Sequence, residues 1–335
     1  MKYKFLFVLL FLPVLLFAQN PINYWGRPAA FMQAQTSQTF DLVKKIIKEN
    51  PPSTRLSLIR ESALLHLDWI FHDPRLDSLT LTQQFLVGQV RNVVKELNKP
   101  VKKGVKVFKM YNHAFIVKSP TVTVAFDLTR GGDMGRKRMI ADDLMDSVVR
   151  HCDILFVSHI HGDHTDPGVA DLFIKNNKHI VATTGIWMDK GPGVQHIRSE
   201  EMVREDIVLT SGKKIKVTVM PGHQDDLPNN VYIVTTPEGI SVAQTGDEFN
   251  DKDFSWIDNV KKNAKVDILM IQCWAKSIAR NVEGYDPKVV ITGHENEIVH
   301  SIDHREPYWL DAKRLEKVTR PIVYMTWGEY FTYKK

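Results

Sequence analysis

The chain has 335 residues, of which 43% are hydrophobic and 25% are charged. This composition is typical of a globular protein and excludes a disordered or fibrous chain. The formal net charge of +5 is too small to indicate a protein that binds nucleic acid or an anionic membrane by charge alone.

Residues 1–18 have the pattern of a secretory signal peptide. Lys2 and Lys4 precede an apolar stretch over residues 5–17, and Ala18 can serve as the cleavage position. We therefore expect export to the periplasm or the medium, with no stable membrane anchor after cleavage. An uncleaved N-terminal anchor is the alternative. Cleavage removes two positive charges and lowers the net charge from +5 to +3.

Residues 19–100 are predicted to form a helical extension. Apolar residues recur at helical spacing between Ser53 and Pro74, and again between Thr82 and Pro100. This segment carries no chemical motif. We expect it to cover one edge of the main domain or to form a lid.

Residues 101–335 have the pattern of a layered α/β domain. Short apolar runs separated by turn residues predict strands, and from residue 154 onward strands alternate with helical stretches. Strands are predicted at 105–110, 114–117, 122–126, 154–157, 215–220, 231–235, 240–244, 266–271 and 289–291, and helices at 167–176 and 254–262.

Cys152 and Cys273 are the only cysteines in the chain, and both flank apolar, strand-like runs. Two cysteines in an exported protein can form one disulfide. We favour two buried free thiols, which are common at such positions.

Three histidines and one aspartate follow the strand predicted at 154–157, in the run Ser158-His159-Ile160-His161-Gly162-Asp163-His164. Imidazole and carboxylate ligands together suit zinc, with iron and manganese as alternatives. A solvated histidine-rich turn could also give such a run. The spacing, directly after a buried strand, favours a metal site.

Three later tripeptides repeat one pattern, in which an apolar strand is followed by a glycine and then by a potential metal ligand. Glycine allows close approach of the backbone at such a position. The tripeptides are Pro221-Gly222-His223, Thr245-Gly246-Asp247 and Thr292-Gly293-His294. Together with the first run, they indicate a site for two metal ions.

This set of motifs resembles the metallo-β-lactamase-like hydrolase superfamily, whose signature is His-x-His-x-Asp-His followed by a His, an Asp and a His. The resemblance covers residues 104–335 and implies an αββα sandwich, here with an N-terminal helical extension. It also implies a ligand set. His159, His161 and His223 would bind the first metal ion, Asp163, His164 and His294 the second, and Asp247 would bridge the two.

This ligand set predicts a metal-dependent hydrolase, and the signal peptide predicts that it is exported. Two Zn²⁺ ions are expected, with iron or manganese as alternatives. A hydroxide bridging the ions would cleave an ester, lactone or phosphodiester bond. Asp163 and Asp247 are the predicted catalytic residues, because one can hold the proton of the nucleophile and the other bridges the metals.

Two further segments resemble one branch of this superfamily, the branch with ascorbate-phosphate lactonase and N-acyl-phosphatidylethanolamine phospholipase D. They are Asn112-His113-Ala114-Phe115 and Ala125-Phe126-Asp127. The chain departs from the branch pattern with Asn112 in place of Gly and Leu128 in place of Pro. His113 and Asp127 are predicted either to line the site or to support the ligand loops.

The predicted partner is a small-molecule substrate, which could be anionic, and nothing in the sequence indicates nucleic acid. The loop over 129–139 is rich in basic residues and could receive an anionic group, although a solvated loop is the alternative. His113, Arg130, His304 and Arg305 are the predicted substrate contacts.

Other functions of the same fold are considered alongside hydrolysis. A persulfide dioxygenase-like enzyme with one iron is the main alternative. A flavodiiron reductase is disfavoured because His161 stands where that type has Glu. β-Lactam cleavage is disfavoured by Asp247, and a non-catalytic binding protein by the presence of all seven predicted ligands.

Overall fold

The computed structural model describes residues 28–55, 57–73, 80–132, 138–197, 200–298 and 300–335. By its contacts the chain divides into two units, Met1–Asp41 and Leu42–Lys335. All of the strands lie in the second unit. The predicted signal peptide at 1–18 lies outside the described residues, and the predicted boundary between helical extension and main domain at residue 100 stays a prediction.

Nine α-helices are found among the described residues. They are α1 (Pro28–Glu49), α2 (Leu58–Phe71), α3 (Thr80–Leu97), α4 (Asp142–Val149), α5 (Pro167–Lys175), α6 (Phe254–Ile257), α7 (Val260–Asn263), α8 (Ile278–Tyr285) and α9 (Tyr308–Arg314). Short 3₁₀ turns cover Met188–Gly193, Asp251–Asp253, Ile302–His304 and Leu315–Lys317. No helix of the described part is both long and apolar enough to cross a bilayer.

The strands form two seven-stranded sheets. The first has the spatial order β14 (Tyr330–Tyr333), β1 (Val105–Lys109), β2 (Phe115–Lys118), β3 (Thr123–Phe126), β4 (Ile154–Val157), β5 (His179–Thr183) and β6 (Val194–Ile197). The second has the order β13 (Ile322–Val323), β12 (Val289–Gly293), β11 (Ile268–Gln272), β10 (Ser241–Gln244), β9 (Leu227–Thr235), β8 (Lys214–Gln224) and β7 (Val203–Val208).

The main hydrophobic core lies between the two sheets, with apolar side chains from both. Phe156 on β4 and Tyr232 on β9 are fully buried, and their rings lie 4.9 Å apart. The Tyr232 hydroxyl also donates to the carbonyl of Val157, 2.9 Å away. Burial of each such side chain stabilises the fold by about 1.5–3 kcal/mol. These contacts hold the end of β4 firmly against the opposite sheet.

A second core lies on the outer face of the second sheet, where residues of α6, α7 and α8 pack against β9 to β12. With helices also present beside the first sheet, the layers follow the order helix, sheet, sheet, helix. Strands β3 to β6 run parallel, and so do β10 to β13. Carboxyl ends of parallel strands meet at one edge of each sheet, so the loops after β3 and β4 of the first sheet and after β10 and β12 of the second can contribute to a site between the two edges.

Most of the predicted elements exist, but several boundaries differ. Helix α2 starts after Ser57, whose side chain accepts a hydrogen bond from the Arg60 amide, and not after Ser53. Ser53 instead accepts from the Arg55 amide in a local turn. The helix predicted at 254–262 is two short helices. Five strands and three helices lie where we predicted no element, namely β5, β6, β7, β13, β14, α4, α8 and α9.

Strand β8 does not end at Met220 but continues to Gln224. Pro221 pairs with Asn230 of β9, while the pairing of β8 with β7 stops at Val219. Beyond Val219, β8 is therefore an edge strand, where the missing amide of a proline costs no ladder hydrogen bond.

Cys152 and Cys273 are both buried and free. The prediction of two free thiols is confirmed.

Candidate metal centre

Four side chains with potential ligand atoms converge where β4, β10 and β12 end. Asp163 and His164 lie in the loop after β4, Asp247 follows β10, and His294 follows β12. Nε2 of His164 lies 3.1 Å from Nε2 of His294, 3.2 Å from Oδ2 of Asp163 and 3.3 Å from Oδ2 of Asp247. Nε2 of His294 lies 2.9 Å from Oδ1 of Asp247 and 3.6 Å from Oδ2 of Asp163.

These spacings fit the donor atoms of a divalent metal ion. Ligand atoms about 2.1 Å from a tetrahedral ion lie about 3.4 Å from one another. Two imidazole nitrogens and two carboxylates form a set that zinc, iron or manganese accepts. The two Nε2 atoms also face each other, an arrangement that a cation between them would explain.

A second group shares Asp247 with the first. His159, His161 and Asp247 have ligand atoms within 4.8 Å of one another, and Nε2 of His159 lies 3.6 Å from Oδ2 of Asp247. Within the described part of the chain, Nε2 of His159 is buried without a hydrogen-bond partner. A metal bond would satisfy this nitrogen. Asp247 is therefore shared by the two groups of potential ligands.

His223 lies outside both groups among the described residues. It sits near the end of the long strand β8, in the hairpin with β9, and not in a loop after a strand. Asp253 contacts its Nδ1 atom at 3.0 Å, which leaves Nε2 as the nitrogen able to coordinate a metal. The predicted ligand role of His223 stays a prediction.

The carboxylates give this centre a strong preference for positive charge. Burial disfavours the charged form of His164, but the surrounding carboxylates, Asp247 first, outweigh burial and raise its pKa well above the usual value. Against the same effect of burial, Asp247 raises the pKa of His294 to about 10. Burial lowers the pKa of His159 to about 3, which keeps this histidine neutral and able to bind a metal. Divalent ions would supply the positive charge that these carboxylates need.

Asp127 supports the loop after β4, which carries His159, His161, Asp163 and His164. It directly follows β3 and accepts hydrogen bonds from the amide and the hydroxyl of Ser158, from Nδ1 of His164 and from Nε2 of Gln244, at 2.7–2.9 Å. The bond from Nδ1 turns Nε2 of His164 toward the metal position. Of the two roles predicted for Asp127, the structure shows support of the ligand loop.

Two more side chains orient ligands and were not recognised in the sequence. Glu297 lies with Oε2 3.0 Å from Nδ1 of His294, and Asn112 donates to Oδ2 of Asp163 at 2.9 Å. Glu297 follows His294 by three residues, and this spacing is a signal that could have been used. Asn112 is fifty-one residues from Asp163, so only the fold brings the two together.

The backbone at the centre is strained. Asn112, Asp127, His294 and Asn296 all have positive φ angles, between 46° and 78°. Side chains other than glycine rarely adopt this conformation, and it persists where the surrounding contacts require it. Such strain is often found at functional sites.

His113 packs directly behind His294. It is fully buried, and its ring stacks on that of His294 with the centroids 5.7 Å apart. This approach needs Gly293, because a Cβ atom there would overlap Nδ1 of His113. Gly246 is similar, since its Cβ would lie 2.6 Å from Cβ of Ser158. The prediction that these glycines allow close backbone approach is confirmed.

We expect Gly293→Ala to lower the free energy of unfolding by about 1–3 kcal/mol, because the methyl group forces His113 and His294 to move. Metal affinity should fall as well. Urea unfolding and a chelator competition measure the two effects. Gly162→Ala is the matched control, since a methyl group there meets no atom within 4 Å. Equal effects of the two substitutions would contradict this reading.

Helix α2 anchors the loop that carries His294. Asp68 accepts from the side-chain amide of Asn296 and from the backbone amides of Tyr308 and Trp309, at 2.8, 2.8 and 3.2 Å. His72 lies with Nε2 2.5 Å from the carbonyl oxygen of Arg305. This helix of the predicted extension thus supports the metal centre through the loop.

Asp68→Ala is expected to lower the free energy of unfolding by about 2–4 kcal/mol, because three donors, two of them buried, lose their acceptor. Metal affinity should fall about tenfold as the loop loosens. Asp68→Asn keeps one acceptor oxygen and should lose about half as much stability. Unchanged metal affinity in Asp68→Ala, measured by chelator competition, would show that the loop does not depend on α2.

Three of the four predicted substrate contacts are paired or enclosed within the protein, and their role as substrate contacts stays a prediction. The guanidinium of Arg130 bonds Asp166 twice, at 2.7 and 2.9 Å. Arg305 is buried and donates to the carbonyl oxygens of Phe71, Ile298 and His300. His113 has no exposed surface. A buried guanidinium forms hydrogen bonds with acceptors of the protein, because leaving its charge unpaired away from water would cost free energy.

His304 differs, because its side chain is 75% exposed and lines a cavity of about 480 Å³. In the loop at 129–139, Arg138 lies 4.0 Å from Asp166, and residues 133–137 lie outside the described residues. The described residues that line the cavity are Phe249, Trp274, His300, Ser301, His304, Glu306 and Arg314.

No protein-family model matches the chain, and no curated protein matches it in sequence. Solved structures do match. A metallo hydrolase from Ignicoccus hospitalis has a TM-score of 0.53 at 15% identity and covers 69% of this chain and 99% of its own. A possible metal-dependent hydrolase from Veillonella parvula has a TM-score of 0.51 at 14% identity, covering 69% and 100%.

A third match is CmlA, a diiron β-hydroxylase from Streptomyces venezuelae, with a TM-score of 0.50 at 11% identity. It covers 71% of this chain and 55% of its own length. At these identities the matches show the fold. The predicted αββα sandwich of the metallo-β-lactamase type is confirmed, and the two hydrolases among these neighbours share it.

Proposed function

We propose that the protein is a metal-dependent hydrolase with two metal ions, zinc in the first instance, that cleaves an ester, lactone or phosphodiester bond. The position of Asp247 carries the proposal, because its carboxylate belongs to both groups of potential ligands. A single-metal site would need only one of these groups.

The residues around the centre have separable roles in this reaction. When bound, the metal ions would polarise the scissile group and lower the pKa of a water molecule toward neutrality. His159, His161, Asp163, His164, Asp247 and His294 would hold the ions, and His223 would join them through Nε2.

Asp163 would also accept the proton of the attacking water. Its side chain is 16% exposed, and Asn112 holds Oδ2 in place. A carboxylate that is fixed on one side and partly exposed on the other can hold a proton during the reaction. Asp127 and Glu297 would keep His164 and His294 in the tautomer that coordinates through Nε2.

Hydrolysis by metal-depleted and zinc-loaded protein tests the proposal. The substrates are bis-4-nitrophenyl phosphate, an aryl ester and a set of lactones. We expect activity on at least one class, its loss on chelation and its return with zinc. Activity that survives chelation, or no activity with two bound ions, would contradict the proposal.

We also propose that the protein is exported and loses residues 1–18. The apolar stretch at 5–17 behind two lysines supports this proposal. N-terminal sequencing of the protein isolated from its native cell envelope or medium tests it. A mature chain that starts at Gln19 is the expected result, and a chain that starts at Met1 would contradict it.

A further inference from the structure

The cavity described above lies next to the metal centre, because two of its lining residues, Trp274 and His300, contact the ring of His294. The ring of Trp274 meets that of His294 edge to face, with the centroids 5.7 Å apart. The ring of His300 stacks on that of His294, with the centroids 6.1 Å apart and 17° between the planes. Both Trp274 and His300 line the cavity. A substrate whose scissile group sits at the metal centre would therefore place its adjoining group in this cavity.

The walls of this cavity are mainly flat rings. Phe249, Trp274, His300 and His304 are four of the seven described lining residues, and none of the seven is aliphatic. Phe249 and Trp274 support each other with ring centroids 5.3 Å apart. Aromatic rings bind a flat ring by stacking or edge contact, which adds to the gain from burial alone.

The rest of the cavity wall is polar. Arg314 donates through Nη1 to Glu306 at 2.6 Å and to the carbonyl oxygen of Cys273 at 3.3 Å. These groups can form hydrogen bonds with a substituent on a bound ring, but they offer little apolar surface to an alkyl chain of a substrate. A long alkyl group would lie against charged side chains that lose water without compensation.

We propose that the substrate carries a flat ring next to the scissile bond, and that Trp274 is the residue that selects it. The proposal rests on the function proposed above, because the metal centre defines where the scissile group lies. A volume of about 480 Å³ suits a small ring-bearing molecule. Acyl chains of lipids are excluded by the same walls.

Calorimetric binding of three phosphonates to the zinc-loaded protein tests this proposal without turnover. Phenyl-, cyclohexyl- and n-hexylphosphonate have the same charged group and six carbon atoms each, and they differ in flatness. We expect phenylphosphonate to bind about fivefold more tightly than the other two, the size of one aromatic contact.

Substitutions assign the preference to Trp274. Trp274→Ala should weaken phenylphosphonate binding about fivefold and change the other two less than twofold, while Trp274→Phe should keep most of the preference. Trp309→Ala is the matched control, because Trp309 is 55% exposed on α9 and is not a described lining residue. An equal loss for all three ligands in Trp274→Ala would overturn the assignment.

The two proposals fail in different ways. Equal or tighter binding of cyclohexyl- or hexylphosphonate, or binding of none of the three to protein that holds its metal ions, would overturn the ring proposal and leave the metal centre standing. A protein that binds no metal would overturn the proposed function itself, and the ring proposal with it.

Discussion

Asp247→Ala is expected to lower kcat/KM by about 10³-fold or more, because the bridging role that we propose for this residue would supply several kcal/mol of transition-state stabilisation. Its carboxylate lies 2.9 Å from Nε2 of His294 through Oδ1, while Oδ2 lies 3.3 Å from His164 and 3.6 Å from His159. No other described residue is in both ligand groups, so no neighbour can replace it.

The loss should be accompanied by a change in metal content. Without the shared carboxylate, the repulsion between two nearby cations is no longer offset, so at least one ion should be lost. Steady-state kinetics on the active substrate class and metal analysis of the same preparation measure both effects. Asp206→Ala, an exposed carboxylate on β7, is the control. Near-native kcat/KM in Asp247→Ala would rule out the bridging role.

Asp127→Ala is expected to lower both the stability of the protein and its affinity for metal. Four donors lose their acceptor in a fully buried environment, and one of them is the backbone amide of Ser158. The free energy of unfolding should fall by about 3–5 kcal/mol. Metal affinity should fall about 10–100-fold, because His164 is no longer held in the coordinating tautomer.

Asp127→Asn removes the negative charge of this side chain while keeping its size. The amide keeps one acceptor oxygen, so stability should recover in part, while its NH₂ group cannot accept from the imidazole or the hydroxyl. Urea unfolding of metal-free protein measures the first effect, and competition with a chromogenic chelator measures the second. Wild-type metal affinity in a folded Asp127→Ala protein would contradict the supporting role.

Much of the fold and the centre is predictable from the sequence because the informative signals are local. A buried strand followed by His159, His161, Asp163 and His164 needs no knowledge of distant residues. The glycines before Asp247 and His294 act in the same way, since each allows a close contact at a strand end. Strands of the two packed sheets then bring these separate segments together.

The roles of side chains that depend on partners distant in sequence were not predicted. Asp68 reads as an ordinary helix residue, and only the fold places it against Asn296 and Tyr308. Arg130 and Arg305 suggest anion binding in sequence, but internal acceptors occupy both. Trp274 follows a predicted strand without any motif, and only the cavity shows its position beside His294.

The most direct test of the proposed two-metal centre is the metal content of the purified protein. Mass spectrometry of protein that has been dialysed against metal-free buffer should find about two zinc ions per chain, and Asp247→Ala should hold one or none. Two zinc ions in the wild type would support the hydrolase. One iron ion per chain, or no bound metal after reconstitution, would contradict it.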